Sequence, residues 1–293
     1  MACALVRKAD RARLRDGGAV LSFSKPLAIG AKNLASMDYD EAAAERLEAV
    51  YLGPDVVAQR AETLRLLGVQ PGEAVLDIGS GPGFLATDLA EAVGPEGRVI
   101  GIDNSEPMVA RAKSRANHDW LCYETADATS LPFEDASFDV VVSTQVAEYI
   151  ADIEGFCAEF TRVLRPGGRG LIVATDWDAV CFHSEDPDRM ARVMAAFAPH
   201  CADSRLPRTL GPRLRNSGLV VDEVCYFPII NPTCYKGCYS AGMMPFIRSY
   251  IQGQGTLPEA ELDAWMAEQA DLDARGEYFF STGRFMFMVS RPG

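Results

Sequence analysis

The sequence predicts an α/β fold in which helices cover both faces of a doubly wound, mostly parallel sheet. Three observations carry this expectation. The runs AVLDI, RVIGID and FDVVVSTQ are short and apolar with little polar alternation, as strands buried on both faces are. They alternate with amphipathic segments of roughly 10–15 residues, the spacing of right-handed crossover units. A glycine-rich turn, Gly79-Ser80-Gly81-Pro82-Gly83, follows the first run and opens a helical pattern.

In order along the chain, residues 1–36 carry mixed charge and weak periodicity and read as a loosely packed extension. From Asp38, DYDEAAAERLEAVY puts Ala43, Leu47 and Val50 on one helical face. PDVVAQRAETLRLLGV is a second helix, with Pro54 at its start and Gly68 at its end. AVLDI is the first strand, FLATDLAEAV a helix and RVIGID the second strand. PMVARAKSRA is helical, WLCYETAD holds a third strand and FDVVVSTQ is the fourth. IEGFCAEFTRVL is an amphipathic helix stopped by Pro166-Gly167-Gly168, and RGLIVATDW is the fifth strand. After Trp177 the rhythm breaks. DPDRMARVMAAFAPHC and PRTLGPRLRNSG read as helices, VVDEVCYFPII as a strand and EAELDAWMAEQADLDARG as a helix. YFFSTGRFMFMVSR reads as a final strand pair or one long strand.

At 48% hydrophobic and 24% charged, the 293 residues have the composition of a soluble globular protein. With 28 basic and 41 acidic residues the net charge is −13, which repels phosphate backbones and argues against nucleic-acid partners. The longest apolar runs fall far short of the roughly 20 residues of a helical membrane span, and no secretory signal opens the chain. The cytoplasm is therefore the expected location. Eight cysteines are scattered without a CxxC pair and read as reduced thiols; the one close pair is Cys234 and Cys238.

The glycine turn narrows the ligand. A dinucleotide site uses G-x-G-x-x-G to bring backbone N–H groups onto a pyrophosphate. Here the spacing is G-x-G-x-G, Phe84 stands where the third glycine would be, and Asp77 precedes the turn. A carboxylate there repels phosphate and attracts an ammonium group. Asp103, at the end of the second strand, suits the two hydroxyls of a ribose through charge-assisted hydrogen bonds. Asp127, after the third strand, suits an adenine amino group, with Leu131 and Phe133 as nearby apolar surface.

These segments resemble the class I S-adenosylmethionine-dependent methyltransferases, in particular the UbiE/menaquinone-methyltransferase-like small-molecule branch. The resemblance rests on VLDIGSGPG, the acid in GIDNSEPM, ADATSLPFEDASFDVVVS and RVLRPGGRGLIV, over roughly residues 70–175. It implies a seven-stranded Rossmann-like sheet and S-adenosyl-L-methionine as cofactor. It places Gly79, Gly81 and Gly83 beneath the methionine and ribose, and Asp77 near the methionine amino group. It places Asp103 on the ribose, Asn104 or Met108 beside the adenine, Asp127 and Ala128 at the adenine edge, and Ser143 to Val146 on the methyl-transfer side. It also implies a lid from residues 38–60, closing through Tyr39 or Tyr51. The expected layout is the extension 1–36 and a single domain 37–293, with a cofactor core at about 65–180 and an acceptor-side elaboration at about 181–260.

The expected reaction is direct in-line methyl transfer to O, N or C of a small molecule, with no metal ligands assigned. Candidate bases are Glu148, Asp176 and His183, with Asp178 beside them; Tyr149, Trp177 and Asp178 are candidate pocket walls, and the acid–aromatic pattern suits a cationic acceptor. Glu148-Tyr149 stands where many relatives carry a His pair, so the role of that pair does not transfer. His200 reads as structural. Two alternatives stand beside this reading. One is methylation of arsenite or another thiophilic element held by Cys181, Cys201, Cys234 and Cys238; the other is a non-catalytic cofactor-binding module. The acceptor and the oligomeric state are not legible.

Overall fold

The computed structural model describes residues 48–293; the extension 1–36, Tyr39 and nearly all of the helical pattern opening at Asp38 lie outside the described residues. Five strands, β1 (Ala74–Ile78), β2 (Arg98–Asp103), β3 (Leu121–Thr125), β4 (Phe138–Thr144) and β5 (Leu164–Thr175), pair in parallel in the order β3-β2-β1-β4-β5. Three more follow: β6 (Cys181–Phe182), β7 (Val220–Asn231) and β8 (Phe280–Ser290). β8 runs antiparallel along β5, and β7 runs antiparallel along the other side of β8. The expected seven-stranded sheet is thus present, with the two-residue β6 added beside the start of β8.

Helices α1 (Pro54–Leu67), α2 (Phe84–Val93) and α3 (Glu106–Arg115) cover one face. There Val75, Val99, Val140, Val142 and Leu171 meet Leu67, Leu89 and Val109. Helices α4 (Ile153–Val163), α5 (Pro187–Phe197) and α6 (Pro207–Asn216) come next. α4 and α6 cover the opposite face, where Phe156, Phe160, Leu210 and Leu214 pack on Leu76, Ile78, Val141 and Ile172. A third cluster lies beyond the end of β5. It joins α5 to α7 (Tyr239–Gln254) and α8 (Glu259–Ala274) through Trp177, Phe197, Met243, Tyr250 and Trp265.

β1 is buried along its whole length, which is why it reads as an unbroken apolar run. Helix α4 starts where Asp152 caps it, accepting from Gly155 N–H at 3.0 Å. Asp152→Ala is expected to cost about 1 kcal/mol. A urea titration should show a lower midpoint at unchanged slope.

Two elements differ from the sequence expectation. β5 begins at Leu164, not after the glycine pair: Leu164 pairs with Phe138 and the ladder resumes at Arg169 with Val140, so Pro166-Gly167-Gly168 forms an irregularity inside the strand. Helix α7 was not expected at all, because Gly242 and Pro245 interrupt its helical signal. Burial of Met243, Met244, Ile247, Tyr250 and Ile251 outweighs them. The last segment is one long strand, β8.

Candidate functional site

The strand order reverses between β1 and β4, the position at which open α/β sheets form a crevice beyond their strand ends. The glycine turn lies there. Gly79 N–H and Ser80 N–H donate to the Ile102 carbonyl at 2.7 and 2.8 Å, binding the turn to β2. Gly79 and Gly83 adopt φ values of 75° and 87°, in the left-handed region that side chains disfavour. A Cβ on Gly79 would fall within the methyl groups of Val146; one on Gly83 would sit 2.8 Å from Cζ of the Tyr123 ring. At Gly79 and Gly83 the turn is therefore wedged between the exit of β4 and the ring of Tyr123. Tyr51 stands against Phe84, with ring centroids 6.0 Å apart, so the residues before α1 border the turn.

Two acids face this turn. Asp77 is only 1% exposed, and neither carboxylate oxygen has a hydrogen-bond partner among the described residues. Burial, reinforced by the charge of Asp103, pushes its carboxyl up to about 7. Asp103 is half-buried and held in place: Oδ2 accepts from Gly81 N–H and Oδ1 from Ser105 N–H, both at 2.9 Å. Burial raises its pKa, opposed by the N–H groups of Ser105, Gly81 and Asn104. Each oxygen keeps acceptor capacity for a hydroxyl. Asp127 is exposed, and its Oδ1 accepts from Thr129 N–H and the Thr129 hydroxyl, both at 2.8 Å; it shapes the turn that carries half-buried Ala128. Asn104 is exposed at the end of β2, and Met108 is buried on α3.

Across the crevice, the chain leaves β4 through Gln145, a non-glycine residue at φ 59°. Such strain persists where surrounding contacts enforce it and concentrates at functional sites. Gln145 Oε1 accepts from the Thr175 hydroxyl at 2.6 Å, and Thr175 in turn accepts from Arg284. The fully buried Glu148 accepts from Thr175 N–H at 3.2 Å through Oε1, while Oε2 has no partner among the described residues. Burial lifts Glu148 to about 7, with Arg284 acting in the opposite direction. Half-buried Tyr149 packs edge-on to His200, and burial beside Glu148 holds its hydroxyl well above the usual phenol range. His200 is buried, stacked 3.8 Å from Phe197 and edge-on to Trp177 at 4.5 Å; burial lowers it to about 4.

The structure gives several expected site residues other roles. Ser143 is buried, and its hydroxyl donates to the Ile78 carbonyl at 3.0 Å, tying β4 to β1. Asp176 is gripped by both arms of the Arg208 fork at 2.6 and 2.9 Å, and Asp178 pairs with Arg205 and with Ser204. Trp177 is buried in the His200 cluster. His183 is exposed and lines a separate hollow of about 520 Å³ with Cys181, Met190 and Met194, to which no residue of the glycine turn contributes. Of the candidate carboxylates, Glu148 has a buried oxygen with no partner among the described residues, whereas Asp176 and Asp178 are both ion-paired. Cys234 and Cys238 lie side by side before α7, apart from Cys181 at that hollow. Among the described residues no cluster of three or more His, Cys, Asp or Glu is arranged to hold a metal ion. Sequence reasoning missed Thr175 and Arg284, while Gln145 falls within the stretch Ser143 to Val146 expected on the methyl-transfer side. The available signal was Arg284 itself, a lone charge within the apolar strand FSTGRFMFMVS.

The sheet order, the glycine turn at the reversal and the two acids form a crevice of the kind that open α/β sheets build beyond their strand ends. Residues 76–172 match the family model described as a methyltransferase domain. A demethylmenaquinone methyltransferase of Lactococcus lactis is 35% identical over 146 residues, covering 49% of this chain and 56% of that protein. A nocamycin O-methyltransferase of Saccharothrix syringae is 33% identical over 171 residues, covering 56% and 61%. The chain thus spans less than two thirds of the length of these relatives. The fold also matches a Haemonchus contortus phosphoethanolamine N-methyltransferase 2 solved with S-adenosyl-L-methionine. That match has a TM-score of 0.59 and 19% identity, covering 92% of this chain and 62% of the other.

S-adenosyl-L-methionine, the cofactor of this domain class, fits the residues present. Asp77 is a buried acid with no hydrogen-bond partner among the described residues, suited to an ammonium, and Gly79 and Gly83 sit where Val146 and Tyr123 leave no room for a side chain. Among the described residues no helix is long and apolar enough to cross a membrane.

Proposed function

We propose that this protein is an S-adenosylmethionine-dependent methyltransferase acting on a small-molecule acceptor. The observation that carries the reading is Asp77, a buried carboxylate without a hydrogen-bond partner among the described residues, beside a glycine-rich turn. Leaving such a charge unpaired costs stability, and a cationic ligand offsets that cost. Asp77 and Asp103 together make this end of the crevice negative, which suits a ligand bearing an ammonium and a sulfonium and opposes a pyrophosphate.

When bound, S-adenosylmethionine supplies an electrophilic methyl group. Asp77 holds the amino group, Gly79, Gly81 and Gly83 let the backbone approach, and Asp103 accepts from the ribose hydroxyls. Asp127 retains Oδ2 for the adenine edge, with Ala128 and Met108 as apolar neighbours. Glu148 faces the methyl-transfer side. A carboxyl lifted to about 7 is matched to taking a proton near neutral pH, which an O–H or N–H acceptor requires. The two curated relatives are named for small molecules, a menaquinone precursor and nocamycin, which supports a small-molecule acceptor here. The single domain from residue 37 and its acceptor-side elaboration after Cys181 belong to the same proposal, as does a location in the cytoplasm.

Asp103→Ala tests the cofactor assignment directly. Loss of two charge-assisted hydrogen bonds is expected to weaken S-adenosylmethionine binding roughly 100-fold in isothermal calorimetry. Unchanged affinity would remove the ribose role.

A further inference from the structure

The end of β5 carries a chain of hydrogen bonds whose direction is set by one cation. Thr175, the last residue of β5, pairs across the ladder with Arg284 of β8, and both are buried. A guanidinium has five donors and no acceptor, so Nη1 donates to the Thr175 hydroxyl. The single hydrogen of that hydroxyl goes to Gln145 Oε1 at 2.6 Å, which leaves the Gln145 amide nitrogen toward the Val173 carbonyl at 3.4 Å. Gln145 is the residue held at φ 59° where the chain leaves β4. Thr175 also offers its backbone N–H to Glu148 Oε1 at 3.2 Å. One threonine thus serves the strained turn, the buried acid and the buried cation.

Arg284 is 2% exposed, and no acid among the described residues forms an ion pair with it. Its other contacts are neutral: Nε donates to Gln59 Oε1 at 3.3 Å, and the guanidinium lies over the Tyr239 ring, 4.8 Å from its centroid. A guanidinium this buried normally meets a carboxylate or a phosphate. Glu148 is fully buried as well, and Arg284 is the side-chain charge that acts on it, in the direction that favours its ionised form. The titratable groups around Glu148 are Tyr149 on its own turn, His200 and Cys201 after α5, and Tyr239 at the start of α7. Burial pushes the Tyr149 hydroxyl and the Cys201 thiol up and His200 down, so these three stay uncharged near neutral pH. Asp203 donates its backbone N–H to the Glu148 carbonyl at 3.0 Å and turns its carboxylate to Arg205 N–H.

We propose that Arg284 is a positioning residue for methyl transfer, supplying the counter-charge of Glu148 and fixing the direction of the Thr175–Gln145 hydrogen bond beside it. This rests on the reading of Glu148 as the base that takes the acceptor's proton. A direct ion pair would occupy the carboxylate oxygens. Arg284 acts instead through Thr175 and through space, so Oε2 stays free for a proton while the carboxylate that receives it is favoured. Gln59 and Thr175 orient the guanidinium, and Tyr239 supports its flat side.

The test follows the Glu148 carboxyl itself, by carbon-13 NMR of the full chain labelled at the glutamate carboxyl carbon, with Glu148→Gln identifying its resonance. In the natural protein that resonance is expected to titrate at about 7. Arg284→Gln keeps a donor for Thr175 and removes the charge, so the Glu148 midpoint should rise by about one pH unit, roughly tenfold in ionisation. Arg284→Met, a second neutral variant, should give the same rise, and Arg284→Lys should hold the midpoint close to the natural one. A neutral residue of similar size in place of a buried, unpaired cation leaves folding intact. An unmoved midpoint in both neutral variants overturns the proposal. An equal rise in Arg284→Lys overturns it too, because the shift would then follow packing and not charge. A natural-protein midpoint in the ordinary carboxylate range sinks the reading of Glu148 as a base, whatever the Arg284 variants do. Failure of the natural protein to bind S-adenosylmethionine in calorimetry sinks the cofactor reading instead.

Discussion

Asp77→Asn is expected to make the protein more stable and the ligand weaker. The folded-state carboxyl sits at about 7 against an ordinary 3.8, because burial and Asp103 both disfavour its charge. Between those values the native state holds a proton that the unfolded chain has released, so stability falls as pH rises from about 4 to 7. Asparagine cannot ionise and escapes that loss. At pH 8 the variant should be more stable by about 2–4 kcal/mol, and at pH 4 nearly equal to the natural protein. Thermal unfolding followed across that range checks the sign; a variant less stable at pH 8 would refute the isolated-charge picture. Affinity for S-adenosylmethionine should meanwhile drop roughly 10–100-fold. Binding near pH 6–7 should also release a proton from Asp77, visible as a dependence of the calorimetric heat on the buffer's ionisation enthalpy.

Gly83→Ala should have the next largest effect, on fold and ligand together. At φ 87° the new Cβ meets the Tyr123 ring, 2.8 Å from Cζ, and the Ala112 methyl at 3.0 Å. Backbone strain and overpacking together are expected to cost about 2–4 kcal/mol. Tyr123 cannot simply withdraw, because its hydroxyl donates to the Gly83 carbonyl at 2.9 Å and its ring is buried. The turn must move instead, and cofactor binding should become undetectable by calorimetry. Combining the change with Tyr123→Phe, which removes the nearest atom, should restore part of the stability. Strict additivity of the two changes in urea unfolding would count against the clash.

Sequence made the parallel half of the sheet legible almost residue by residue, because β1, β2 and β4 are buried on both faces and their apolar runs have sharp ends. The cradle was legible too, since an acid and three glycines at that spacing exclude pyrophosphate. What it concealed was pairing over distance. Asp176 read as a base because Arg208 follows 32 residues later, on a helix whose docking no local pattern announces. Asp77 could be placed but not known to be alone, for isolation is a property of everything around it. Helix α7 was hidden because its stability comes from side chains buried against other elements, while its Gly242 and Pro245 signal the opposite. Arg284 was visible only as an anomaly, a charge where a strand needed none.

The place of β8 has a consequence for how the molecule is made. It follows every other strand in sequence, yet lies between β5 and β7. During synthesis, the glycine turn and its five parallel strands emerge long before the strand that seals the flank of β5. Until then β5 presents a long apolar edge, the kind of surface on which chains aggregate. A product cut short before Phe280 would keep the sequence of the cradle but lose both Arg284 and the seal on that edge, so it should accumulate as aggregate.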